Sequence, residues 1–305
     1  MRCLPSRKAF LGLDSRDAVN YKDAKAVVVP FGLEQSVSYG KGTAKGPSAM
    51  IQASYKVELF DEVFWCEPYR NIGIVTLEEP KIENGISRAL QQLERLVGCV
   101  VSDRKFPFVF GGEHSITVGS IRPFVKEYAD LAILHFDAHT DLRDGYHGEY
   151  FSHASAIRRC LDHPNVEVIS IGIRNISLEE ISFFEANRNR IRIYWAKDKK
   201  NWDIRKIIDP LKNRPIYLTV DVDGFDSSLM PATGTPEPGG LFWDDTLEII
   251  TAASEIGTIV GADINELAPI SNFHSCDFLS AKLAYKILSI VFKDFYRRRK
   301  FLQDF

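Results

Sequence analysis

At 305 residues with 45% hydrophobic side chains, the chain can bury a large core, which excludes disorder as its main state. A net charge of −3, with one short basic cluster at 297–300 read as a solvated helix end, lacks the basic field of a nucleic-acid binder. No apolar run reaches the ~20 residues of a membrane span, the N-terminus lacks the apolar core of a secretory signal, and five scattered cysteines without a CxxC pair suit reduced thiols, so a cytoplasmic protein is expected.

The chain then alternates short β-rich runs with amphipathic stretches. Residues 26–30 read as a first strand. The Gly-rich loop at 38–50 lacks the Walker spacing and its Lys-Ser/Thr, so it reads as a lead into a helix with Pro47 in the first turn. Residues 72–75 are a short second strand, and 82–102 carry Ile86, Leu90, Leu93, Leu96 and Val97 at helical spacing. The third strand, 106–110, runs straight into Gly111-Gly112-Glu113-His114-Ser115. The fourth, 131–136, is followed by Asp137, His139 and Asp141 at alternate positions, which an extended chain turns to one face. A helix is expected at 152–161, a strand at 166–171, a helix at 177–187, a strand at 191–195 and a helix at 203–211. The seventh strand, 216–220, leads into Asp221-Val222-Asp223. A helix at 243–256 precedes the eighth strand, 258–262, which ends in Asp263-Ile264-Asn265-Glu266, and a long helix at 276–298 follows.

Strands alternating with helices imply a mostly parallel α/β sheet covered on both faces. Eight strands fit a closed barrel or an open, doubly wound sheet, and periodicity does not separate the two. In both, sites sit at the carboxyl ends of strands. The polar clusters follow the third, fourth, seventh and eighth strands, which argues for one composite site.

Those clusters offer six candidate ligands: His114, Asp137, His139, Asp141, Asp221 and Asp223. Carboxylates with imidazoles suit Mn, Fe, Co, Ni or Zn. Four gathered carboxylates repel one another unless some are protonated or a counter-charge is present, and two divalent ions would balance them. A two-metal site polarises water for hydrolysis. Taken singly, His114 reads as a loop histidine, and Asp221 and Asp223 as caps of the turn before Gly224. Ligand types supplied together by separate strand ends weigh against those readings. His135, alternating with Ile133 in the strand body, reads as a packed or sheet-partner histidine, and His147, His163 and His274 as polar loop residues.

With these segments in view, the sequence resembles the ureohydrolase family of agmatinases, arginases and related guanidino-hydrolases. The resemblance rests on Gly-Gly-Glu-His-Ser at 111–115, Phe-Asp-Ala-His-Thr-Asp at 136–141, Ser-His-Ala at 152–154, Asp-Val-Asp-Gly-Phe-Asp at 221–226, Gly-Thr-Pro-Glu-Pro-Gly-Gly at 234–240 and Asp-Ile-Asn-Glu at 263–266. It covers nearly the whole chain. It implies one domain over 1–305, a three-layer α-β-α sandwich with an open, eight-stranded, mainly parallel sheet, and two Mn(2+) per subunit. By the same resemblance His114 and Asp141 look like terminal ligands of one ion, His139 and Asp223 of the other, and Asp137 and Asp221 like bridging carboxylates. Glu266 matches the carboxylate that binds the guanidinium, whose planar N–H pairs want such a partner. His153 matches the histidine assigned to proton transfer to the leaving amine. The family is generally trimeric or hexameric, which implies a homo-oligomer acting on a small guanidino substrate.

Within the family the loop at 142–155 resembles agmatinase more than arginase, since it carries acidic and aromatic residues and no Asn. Asp144, Glu149 and the rings of Tyr146, Tyr150 and Phe151 are therefore expected to read a cationic amine tail. Glu237 adds an acid near the expected mouth. Glu113 stands where many agmatinases have Asp, and Met230-Pro231-Ala232-Thr233 departs from the usual run, which leaves tail length open. Hydrolysis of agmatine to putrescine and urea, for polyamine biosynthesis, is the expected activity. Aminopropylagmatine, guanidinobutyrate or arginine as substrate, and a catalytically silent metal-binding scaffold, are the alternatives.

Overall fold

The computed structural model describes residues 1–296; the expected basic cluster at 297–300 and the end of the expected helix at 276–298 lie outside them. Eight strands form one sheet: β1 (Ala26–Phe31), β2 (Ile74–Thr76), β3 (Phe106–Gly111), β4 (Ala132–Phe136), β5 (Glu167–Ile173), β6 (Ile191–Trp195), β7 (Pro215–Asp221) and β8 (Thr258–Asn265). Their order is β2-β1-β3-β8-β7-β4-β5-β6, with every neighbouring pair parallel. The sheet is open, with β2 and β6 at its edges, and this decides against the barrel.

The strands are apolar runs because both faces are covered. Alternate residues serve opposite layers: Val28, Phe108 and Leu218 face one core, whereas Val27, Val29 and Val109 face the other. On the first face pack α1 (Gly46–Ser54), α7 (Ile204–Ile208), α8 (Trp243–Ile256) and α9 (Ser275–Val291). On the second pack α3 (Ile86–Ser102), α4 (Ile116–Glu127) and α5 (Ala156–Cys160), where Leu90, Leu93 and Val97 of α3 are buried. A short α2 (Pro68–Ile72) precedes β2, and α6 (Leu178–Ala186) lies between β5 and β6. Among the described residues no helix is long and apolar enough to cross a membrane.

Several boundaries differ from expectation. The second strand starts at Ile74 because Pro68 opens a helical turn through Ile72. Helix α4 is absent from the sequence reading: Ile116, Thr117, Val118, Gly119 and an internal Pro123 hide its helical signal. The helix expected at 152–161 begins as a 3₁₀ turn, His153–Ser155. β8 extends through Asn265, so Asp263 and Asn265 belong to the sheet rather than to the loop after it.

Candidate metal centre

The four central strands, β3, β8, β7 and β4, are neighbours and point the same way, so their carboxyl ends converge. His114 follows β3, Glu266 follows β8, Asp221 ends β7 with Asp223 just beyond, and Asp137, His139 and Asp141 follow β4. Glycines let these ends touch. A Cβ on Gly224 would lie 2.8 Å from the Asp137 nitrogen. The convergence after β4 is not strand alternation, because the strand ends at Phe136 and Asp141 turns with a left-handed φ of 51°. Glu266 is also left-handed, at φ 65°. Such backbone in non-glycine residues is costly and clusters at functional sites.

His114 is buried, and its Nε2 lies 2.9 Å from Thr219 Oγ1. Among the described residues its Nδ1 has no hydrogen-bond partner, yet Asp141 Oδ2 lies at 3.0 Å, Asp137 Oδ2 at 3.1 Å and Asp221 Oδ2 at 3.5 Å. His139 Nδ1 faces Asp223 Oδ2 at 3.0 Å and Asp137 Oδ1 at 3.5 Å. Asp137 thus turns one oxygen to each histidine. Ligand atoms about 2.1 Å from a shared ion sit about 3.0 Å apart in octahedral and about 3.4 Å in tetrahedral arrangement. The orphaned nitrogen and these spacings fit a cation-binding site, with Asp137 shared between the two histidines. His114, His135 and Asp137, and again Asp137, His139 and Asp223, lie close enough to hold a metal. His135 is engaged with protein neighbours at both ring nitrogens. Its Nε2 lies 2.8 Å from Asp137 Oδ2 and its Nδ1 2.9 Å from Ser170 Oγ.

Electrostatics tell the same story. Burial, then Asp223 and Asp137, hold the Asp221 carboxyl well above the usual range. Burial and Asp137 raise Asp141 to about 6. Burial opposes charge on His139, but Asp223 and Asp137 push it up to about 12. These groups compete for too few positive charges, and two divalent cations would supply what is missing.

The centre forms the floor of a cavity of ≈ 340 Å³, bordered also by Tyr39, Arg143, Tyr146, His153, Glu180 and Glu266. Glu266 Oε1 accepts the His114 N–H at 2.6 Å, and burial raises its carboxyl well above normal. His153 is pushed down to about 4 by burial and then by His139 and His114, so it is neutral.

Asp144 and Glu149 are not at the cavity. The Asp144 side chain is 77% exposed and pairs with Arg159 at 2.8 Å and Arg158 at 3.3 Å. Glu149 Oε1 accepts the Phe151 N–H. Internal arginines occupy the rings expected for the amine tail: Arg159 lies 3.8 Å from the Tyr150 centroid and Arg122 5.7 Å from that of Phe151. Of the three rings only Tyr146 borders the cavity, and Glu237, His147, His163 and His274 lie away from it. The sequence reading missed Arg174. Its guanidinium donates to the carbonyls of Gly172, Asp223, Gly224, Phe225 and Glu237, tying the end of β5 to the loop after β7. It also missed Glu180, whose carboxylate accepts from Thr140 Oγ1 and from the Leu142 and Ser177 N–H groups. The Ser-x-x-Glu spacing at 177–180 was the available signal.

The Arginase family profile matches residues 24–289. N(1)-aminopropylagmatine ureohydrolase of Synechocystis sp. is 35% identical over 90% of this chain and 92% of its own length. Agmatinase of Bacillus subtilis is 32% identical over 82% of this chain and 86% of its own. The crystal structure of agmatine ureohydrolase of Thermoplasma volcanium superposes with a TM-score of 0.82 at 31% identity, covering 95% of this chain and 96% of that one.

Proposed function

Because the chain belongs to the arginase family and is a ureohydrolase of the agmatinase and aminopropylagmatine type, we propose that it hydrolyses agmatine to putrescine and urea, a step of polyamine biosynthesis. The observation that carries this reading is the orphaned His114 Nδ1 facing three carboxylate oxygens on the cavity floor, with Glu266 beside it.

His114, Asp141, Asp137 and Asp221 would hold one manganese ion, and His139, Asp223, Asp137 and Asp221 the other. When bound, such a pair activates water and stabilises developing charge. Asp137, Asp141, Asp221 and Asp223 balance the four positive charges of two divalent ions, which leaves Glu266 to pair with the guanidinium of the substrate. Asp141 adds negative charge where the carbon turns tetrahedral. Neutral His153 takes a proton and passes it to the departing amine, since an alkylamine leaves only when protonated. The amine tail runs out past Tyr39 and Tyr146, where no uncommitted carboxylate among the described residues of the cavity wall meets it, so selection falls on tail length more than on a direct ion pair.

N(1)-aminopropylagmatine is a second reading, supported by the 35% identical Synechocystis relative. The family resemblance also supports a cytoplasmic homotrimer or homohexamer, testable by sedimentation of the purified protein. The deciding assay is urea release by manganese-loaded protein from agmatine, N(1)-aminopropylagmatine and arginine in parallel. Preference for agmatine is expected; preference for the longer amine favours the second reading, and urea from none of them overturns both.

A further inference from the structure

The Glu113 carboxylate is buried one residue before His114 and, among the described residues, has no cationic partner. Four donors converge on it instead. The Gln35 and Ser36 N–H groups reach Oε2 at 2.5 and 2.6 Å, and the Ser36 and Ser115 hydroxyls reach Oε1 at 2.8 and 2.6 Å. Two amides that only donate, together with two hydroxyls, suit an acceptor-only carboxylate.

Ser36 has one hydroxyl proton, and the 2.8 Å contact with Glu113 Oε1 takes it ahead of the longer 3.2 Å contact with His153 Nδ1. Its oxygen then serves only as an acceptor. It takes the His153 main-chain N–H at 2.9 Å and faces His153 Nδ1 at 3.2 Å. A bare Nδ1 there would set lone pair against lone pair, so Nδ1 must carry the ring proton. In a neutral imidazole that leaves Nε2, on the far side of the ring from Ser36, as the only lone pair.

We propose that Glu113 and Ser36 are positioning residues that lock His153 in its Nδ1–H tautomer, so that Nε2 is the atom that accepts and delivers the catalytic proton. This rests on the proposed ureohydrolase reaction and deepens it. A proton leaves the attacking water for His153 Nε2 as the new C–O bond forms. The same proton then moves from Nε2 to the amine nitrogen as the C–N bond breaks and its electron pair goes to nitrogen, while the proton left on the new hydroxyl departs to solvent as the urea C=O forms and the released amine takes up a proton from water. The ring ends as it began, with Nδ1–H still donating to Ser36. The same hydrogen bonds pin residues 35–36, and Glu34 pins the far end of the loop through the Gly42 and Ala44 N–H groups, so the segment bearing Tyr39 at the cavity is held on both sides.

The test is the ring ¹⁵N–¹H correlation spectrum of full-length, histidine-labelled protein loaded with diamagnetic Mg²⁺, with the His153 signals identified by their loss in His153→Asn. The wild type is expected to show a protonated Nδ1 and a bare Nε2. Ser36→Ala is expected to move the ring toward the Nε2–H form and, in the manganese enzyme, to lower kcat roughly ten- to a hundredfold with KM nearly unchanged. Ser36→Thr, which keeps the hydroxyl, is expected to restore both readouts. A wild-type ring protonated on Nε2, or an unchanged tautomer in Ser36→Ala, overturns the inference even if urea is released. A spectrum as expected from a protein that hydrolyses no guanidino compound supports the tautomer lock while rejecting the reaction it was assigned to.

Discussion

Arg174 donates to the main-chain oxygen of Asp223 at 2.6 Å, so a side chain just past β5 sets the position of a candidate ligand just past β7. The same guanidinium holds four further carbonyls around that loop. Removing it strands several acceptors at once. Arg174→Ala is expected to cost about 3 kcal/mol, a fall in Tm of roughly 5 °C for a chain of this size, and to weaken metal binding. Arg174→Lys should recover only part of this, because an ammonium does not fork. Thermal unfolding with and without manganese checks both, and an unchanged Tm for Arg174→Ala would remove the clamp from the account.

Manganese is expected to raise the Tm of the metal-free protein by several degrees, and a chelator to reverse it, because ligands that bind only the folded state stabilise it. Asp137→Asn should abolish that rise together with urea release. Elemental analysis showing two ions still bound in an active Asp137→Asn protein contradicts the assignment of Asp137 as the shared carboxylate.

Glu266 has two jobs that substitution can separate. Its Oε1 accepts the His114 N–H, and in the proposed reaction its carboxylate pairs with the guanidinium. Glu266→Gln keeps a carbonyl acceptor and should retain metal while losing roughly 10²–10³-fold in kcat/KM. Glu266→Ala also frees the His114 backbone and should lose metal affinity. Equal metal content in the two variants would separate Glu266 from the positioning of His114.

Asp226 offers a pH prediction outside the metal centre. Hydrogen bonds from the Ser228 hydroxyl, opposed in part by burial, and from the Ser228, Gly239 and Gly240 N–H groups lower its carboxyl from 3.8 to about 2. A depressed carboxyl stabilises the fold fully above the unfolded value, and this contribution fades as pH falls toward the folded one. The Tm gap between wild type and Asp226→Asn should therefore be widest above about pH 4 and narrow below it. A gap that widens on acidification would contradict this sign.

The residues that build the floor of the site were legible because each stands at the end of an apolar run, where chain polarity changes abruptly. The open sheet was not legible from periodicity and came from family resemblance, since strand order is a matter of long-range pairing. Helix α4 was hidden by its β-branched residues and Pro123, which tertiary packing overrides. Asp144 misled because charge in a loop says nothing about which neighbour neutralises it, and Arg158 and Arg159 come from a helix whose approach is set by the fold; Glu149 turns instead to the Phe151 N–H of its own loop. Ser36 carried no signal at all. Its place beside His153 comes from pairing across 117 positions of chain.

β8 is the last strand in the chain and lies between β3 and β7. During synthesis, a chain halted before Thr258 has two half-sheets, β2-β1-β3 and β7-β4-β5-β6, with no strand to hydrogen-bond them together. His114 rides on one half, and the four aspartates ride on the other. The β7-β4 half already carries Asp137, His139, Asp141, Asp221 and Asp223, but His114 and Glu266 are brought to them only when β8 pairs with both halves, so the complete candidate centre depends on that one central strand.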